Sequence, residues 1–140
     1  MKAIIELLAR LMLATIFLFE VWDTIAHFQG SKEQMIGYGI TWNTEFLLYT
    51  TLFLLILGSI LITTGYRAGF GVILLLLYWV PTTFIQYDFW VLPAGPERRI
   101  ASILFMKNIA IMGGLLMLWV NGSGRYSIRK LFATTKVPGT

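Results

Sequence analysis

Residues 7–28 read LLARLMLATIFLFEVWDTIAHF. The run is apolar enough to cross a bilayer, which takes about 20 residues. It nevertheless carries Arg10, Glu20, Asp23 and His27, the one histidine of the chain. An ionisable group inside a spanning helix costs on the order of 3 kcal/mol unless it is paired or wetted, so such groups mark places where a helix finds partners or does chemistry. Glu20, Asp23 and His27 fall at i, i+3 and i+7, which sets them on one helical face. Arg10 lies two turns from the start, near enough to an interface to snorkel, and reads as an anchor there.

The rest of the chain agrees with a membrane protein. It is 57% hydrophobic and 13% charged, whereas a soluble domain carries about 25% charged residues. Four apolar segments, approximately 3–28, 46–64, 68–87 and 101–120, use up most of it. The expected fold class is all-α: a four-helix transmembrane bundle in one domain, 1–140, ending in a basic tail over 121–140. Lys2 and the apolar run after it resemble a signal peptide, but acids stand where a small-residue cleavage site belongs, so a retained helix is expected.

Between the first two segments, Gly30 and Ser31 are expected to stop the helix. The polar connector over 29–45 has room for a short interfacial helix around 32–36. Gly58 and Ser59, Gly69 and Gly71, and Gly113 and Gly114 are small residues that let neighbouring helices approach. Pro81 is expected to kink the third segment, because its ring removes one backbone hydrogen bond.

There are no cysteines, which excludes disulfides, thiol catalysis, iron–sulfur clusters and Cys-bound zinc within this chain. One histidine excludes a bis-His haem, and Asp23 with His27 lacks the further ligands of a metal site. A redox cofactor would have to be diffusible or held by a partner. The formal charge of +4 reads as basic residues gathered at cytoplasmic helix ends, not as a nucleic-acid surface.

Four spans put both termini on one side. Lys2, Arg67, Arg125, Arg129, Lys130 and Lys136 would then lie together, against Lys32, Arg98 and Arg99 opposite, which favours cytoplasmic termini. In that arrangement Glu20, Asp23 and His27 share a depth with Gln86, Asp88, Lys107 and Asn108 at the outer side. Glu20 and Lys107 each lie about two turns from that side, which invites an ion pair. It reads either as a structural tie between helices or as part of a pocket for a quinone headgroup or a proton. Trp22, Trp79 and Trp90 could floor such a pocket or belong to an interfacial aromatic belt.

Several pieces together carry a resemblance. The first helix has Ala9-Arg10-Leu11-Met12-Leu13-Ala14, Phe17-Leu18-Phe19 and Trp22-Asp23. The third ends in Asp88-Phe89-Trp90. The fourth has Phe105-Met106-Lys107-Asn108 and Gly113-Gly114-Leu115-Leu116, and the tail Gly122-Ser123-Gly124-Arg125-Tyr126-Ser127. In order and spacing this resembles the DoxX-like family of small four-helix membrane proteins. The resemblance implies a bundle in the cytoplasmic membrane of a bacterium or archaeon. Some family members are small subunits of thiosulfate-oxidising quinone reductases, and others are linked to thiol and oxidative-stress systems. The chain departs from the family pattern at three places. Leu55 and Ile56 precede Gly58 where a glutamate is frequent, Tyr87 precedes Asp88 where a histidine is frequent, and Glu20-Val21 replaces a His-Gly pair.

The expected function is therefore an integral membrane subunit associated with a respiratory or redox complex, contacting quinone through the outer polar cluster. Its alternative is a non-catalytic accessory subunit of a larger membrane complex. No intrinsic cofactor is expected, and the expected partners are lipid and other membrane subunits. If redox-active, the protein would be a quinone-linked oxidoreductase subunit. A transporter would be supported by an inverted repeat, and none is evident.

Overall fold

The computed structural model describes residues 1–128 and 130. The remainder of the basic tail, with Arg129 and Lys136, lies outside the described residues. Among the described residues five helices follow one another: α1 Lys2–Ala26, α2 Phe28–Gly37, α3 Thr44–Thr64, α4 Ala68–Gln86 and α5 Pro96–Asn121. α3, α4 and α5 are each long and apolar enough to cross a membrane. α1 has 25 residues, a length of about 37 Å, but it carries Lys2, Glu6, Arg10, Glu20 and Asp23.

Two boundaries differ from expectation. Gly30 and Ser31 do not stop a helix: α1 ends at Ala26, and His27 (φ −117, ψ 40) breaks the chain before α2 runs through both residues. Glycine in a helix interior costs about 1 kcal/mol, and contacts to α3 offset it. The Lys32 ammonium lies 2.6 Å from the Glu45 carboxylate, and the Phe28 and Tyr49 rings stand 5.5 Å apart. α5 starts at Pro96, before the expected 101. Proline suits a first helical turn because its missing N–H has no partner there, and Glu97 adds an acid at the positive end of the helix dipole. Arg98 and Arg99 thus ride on the helix and not in a loop.

The helices alternate in direction and pack in the order α1–α3–α4–α5, with α2 lying across the α1–α3 end. α3 and α4 are the most intimate pair, and α1 and α5 meet only loosely. Glycines explain the first fact. A Cβ on Gly58 would stand 2.7 Å from Leu75 Cγ, and one on Gly71 would stand 3.0 Å from the Gly58 carbonyl oxygen, so only bare backbone allows this approach. Gly114 meets Leu13 of α1, whereas nothing lies within 4 Å of a Cβ on Gly113. The expected glycine face of α5 is therefore half used.

The core consists of Phe17 and Val21 from α1, Leu55 and Ile62 from α3, Val72, Leu75 and Trp79 from α4, and Leu115 from α5. Phe17 meets Trp79 edge-on at 5.0 Å, the preferred geometry for aromatic quadrupoles. On α1 the buried stripe is Arg10, Ala14, Phe17, Val21 and Thr24. Its alternating spacings of four and three keep one face towards a partner helix.

Candidate functional site: a polar chamber under α2

At the α2 end of the bundle, α1, α3 and α4 line a chamber of about 590 Å³. α2 and the turn after it form its roof, contributing Gln34 and Tyr38. From α1 come Glu20, Asp23 and Thr24, and from the end of α4 come Tyr78, Thr82, Gln86 and Tyr87. Leu47, Leu54, Leu77 and Ile85 supply apolar wall. The Tyr78 hydroxyl donates to Glu20 Oε1 at 3.2 Å. A phenol is a fixed donor on a stiff ring, so it holds the half-buried carboxylate in place.

The structure brings together only part of the expected cluster. Glu20, Asp23 and Gln86 line the chamber, and His27, Asp88, Lys107 and Asn108 do not. His27 Nδ1 stands 3.2 Å from Asp23 Oδ1, but both side chains are largely exposed, at 71% and 54%, so they form a surface pair. Asp88 caps a turn, its carbonyl accepting from the Val91 amide at 3.0 Å. Asn108 Nδ2 donates to Thr83 Oγ1 at 3.1 Å and ties α5 to α4.

The expected Glu20–Lys107 ion pair does not form. Among the described residues the ion pairs are His27–Asp23 and Lys32–Glu45, and Lys107 is exposed. The reason is azimuth. Matching depth placed the two groups at one level, but α1 faces α3 and α4 there, so the partner of Glu20 comes from α4.

Of the tryptophans, Trp79 is a core residue, while Trp22 and Trp90 are exposed at 69% and 51%. Trp90 joins Phe84, Phe89 and Phe105 in a cluster between α4 and α5. Tyr78, Tyr87 and Tyr38 are the chamber residues that sequence inspection missed. A signal existed for Tyr78 and Thr82: they stand one turn apart with Pro81 between them, a polar edge on an apolar helix.

Arg10 is not a snorkelling anchor. It is 2% exposed and heads the buried stripe of α1. Its Nη2 donates to the Tyr126 carbonyl, which joins the first helix to the chain beyond the last one. Its guanidinium rests against Gly65, at the α3–α4 turn, where a side chain would occupy the same space.

A helical bundle with three apolar spans and a polar chamber at one end defines a small multi-spanning membrane protein. The DoxX family matches residues 5–88, and the chain belongs to that family. The matched region holds every chamber residue and stops before α5. The inner membrane protein YqjF of Escherichia coli is 26% identical over 125 residues, 89% of each chain. The Surfeit locus protein 4 homolog of Schizosaccharomyces pombe is 31% identical over 93 residues, 66% of this chain but 30% of the yeast protein. No solved structure matches. This is a multi-pass protein of the cytoplasmic (inner) membrane.

Proposed function

We propose that the protein is an accessory subunit of a membrane redox complex and that its chamber receives the headgroup of a quinone. The observation that carries this is the Glu20–Tyr78 pair in the wall of a chamber of about 590 Å³. The donor set fits the group. A quinone presents carbonyl oxygens that accept hydrogen bonds, and Thr82, Gln86 and Tyr87 offer O–H and N–H donors. The apolar wall of Leu54, Leu77 and Ile85 suits the start of a prenyl tail. Bound quinone would supply the exchange of electrons and protons. This chain's own part is to orient the headgroup and to hold a proton at Glu20. The chain has no cysteine and one histidine, so the electrons would come from a partner subunit.

In this reading α1 is a fourth span, and both ends of the chain face the cytoplasm. Lys2, Arg67, Arg125 and Lys130 at one end of the bundle support that orientation against Lys32, Arg98 and Arg99 at the other. The absence of native cysteine makes the test direct: single cysteines placed at Lys2 and at Arg98 should label from opposite sides of the membrane.

A second reading, a purely structural subunit, is favoured by α5. It buries only Met112, Leu115 and Leu118 and leaves Gly113 open to a neighbour. Binding of a short-chain benzoquinone to the purified protein separates the two. Glu20→Leu and Gln86→Leu should each weaken it roughly tenfold, about 1.4 kcal/mol for a lost hydrogen bond, and Lys107→Met should leave it unchanged. Absence of binding, or equal loss in all three, would favour the structural subunit.

A further inference from the structure

We propose that the loose seam between α1 and α5, at the end of the bundle away from the chamber, is a binding site for one acidic glycerophospholipid. The seam is a cleft of about 520 Å³. Leu13 and Ile16 of α1 and Ile111, Met117 and Leu118 of α5 line its apolar part. It opens into a second hollow of about 790 Å³, and Glu6, Asn121 and Gly122 belong to both. From Glu6 to Ile16 α1 rises about 15 Å, half of a hydrocarbon core of roughly 30 Å. The groove therefore matches an acyl chain from one leaflet, with its headgroup in the hollow.

Charge selects the headgroup. Lys2, Arg125 and Lys130 line the hollow, and Glu6 is the one acid there. Arg10 lines the cleft between the apolar part and the hollow. It is 2% exposed, and its Nε and Nη1 have no hydrogen-bond partner among the described residues. Its positive charge behind the cleft wall adds to the field that favours an anion in the hollow. Basic pockets between membrane helices are suited to acidic lipid headgroups.

The test is native mass spectrometry of the full chain released from micelles holding phosphatidylglycerol and phosphatidylcholine in equal amounts. Phosphatidylglycerol should be retained preferentially. Lys2→Gln and Arg125→Gln, both at exposed positions, should each reduce that preference by roughly fivefold. Ala9→Trp, exposed and on the cleft wall, should reduce retention of phosphatidylglycerol by obstructing the groove. Arg98→Gln with Arg99→Gln, at the opposite end, should change nothing. Equal retention of the two lipids by the unaltered protein overturns the proposal. So does a preference that survives the Lys2 and Arg125 changes, one that falls equally with the Arg98 and Arg99 changes, or retention that Ala9→Trp leaves intact.

Discussion

The Tyr78 hydroxyl donates to the Glu20 carboxylate at 3.2 Å, linking α4 to α1 across the bundle. Phe17, one turn before Glu20, meets Trp79, the residue after Tyr78, along the same diagonal. The carboxylate and the phenol thus sit on the core, and losing one should cost more than losing both. Tyr78→Phe leaves a half-buried acid without its donor, for which about 1–3 kcal/mol of destabilisation is expected. Adding Glu20→Leu should recover part of that loss. Thermal unfolding in detergent, followed by circular dichroism, measures both. Strict additivity of the two changes would mean that the groups do not interact.

Gly65 is held by two constraints. Its φ of +69 lies in the left-handed region, which costs a side chain about 1–2 kcal/mol, and the Arg10 guanidinium occupies the space of a Cβ. Gly39 shares the first constraint, at φ +83, but has nothing within 4 Å. Gly65→Ala should therefore lower the unfolding temperature well beyond Gly39→Ala. Equal effects would show that Arg10 does not rest there in the folded protein.

The α3–α4 seam makes a similar contrast. Gly58→Ala drives a methyl into Leu75 and the Gly71 carbonyl, an overpacking expected to cost about 1–3 kcal/mol. Gly113→Ala meets nothing and gains helix propensity, so it should be neutral or stabilising by up to about 1 kcal/mol. Unfolding midpoints of the two variants, measured in one detergent, decide this. A destabilised Gly113→Ala would instead reveal a neighbour seated on α5.

These contrasts also show what could be read from residues alone. The spans of α3, α4 and α5 follow from length and hydropathy, and both are properties of a segment. The partner of Glu20 is a property of helix order. Counting turns put Lys107 at the right depth, but depth carries no azimuth, and α4 stands where α5 was expected. Arg10 was more legible than its reading as an anchor allowed. Its spacing to Ala14, Phe17, Val21 and Thr24 continues the buried stripe. The connector had room for a short helix over 32–36, but the start of α2 at Phe28 was not legible: Gly30 and Ser31 signal a stop, whereas the contacts that hold it, Lys32 to Glu45 and Phe28 to Tyr49, are tertiary. In the chamber, Glu20, Asp23 and Gln86 could be anticipated as polar groups at one level. Tyr38 and Tyr87 could not, since tyrosines near a membrane surface ordinarily belong to an interfacial belt, and Tyr78 only through its spacing to Thr82. Two positions that depart from the DoxX-like pattern, Glu20 and Tyr87, face each other's neighbourhood in this chamber. The third, at Leu55 and Ile56, lies outside it, with Leu55 in the core.

Lys107 and Asn108 are adjacent in sequence and opposite in circumstance, which gives a test of where α5 turns its polar residues. Asn108 bridges to Thr83, whose hydroxyl is fully buried and itself donates to the Trp79 carbonyl at 2.6 Å. Asn108→Leu removes the α5 end of that chain and leaves Thr83 without its donor, for an expected loss of about 1 kcal/mol. Lys107 is exposed and has no ion pair among the described residues, so Lys107→Met should change stability by no more than about 0.5 kcal/mol. In a bilayer the methionine should even favour insertion, because a lysine in a span is the costlier side chain. Unfolding of both variants in micelles, with yield of membrane-inserted protein as a second readout, checks the pair. A Lys107→Met variant that loses as much stability as Asn108→Leu would mean that α5 is rotated in the membrane and that its lysine faces the bundle.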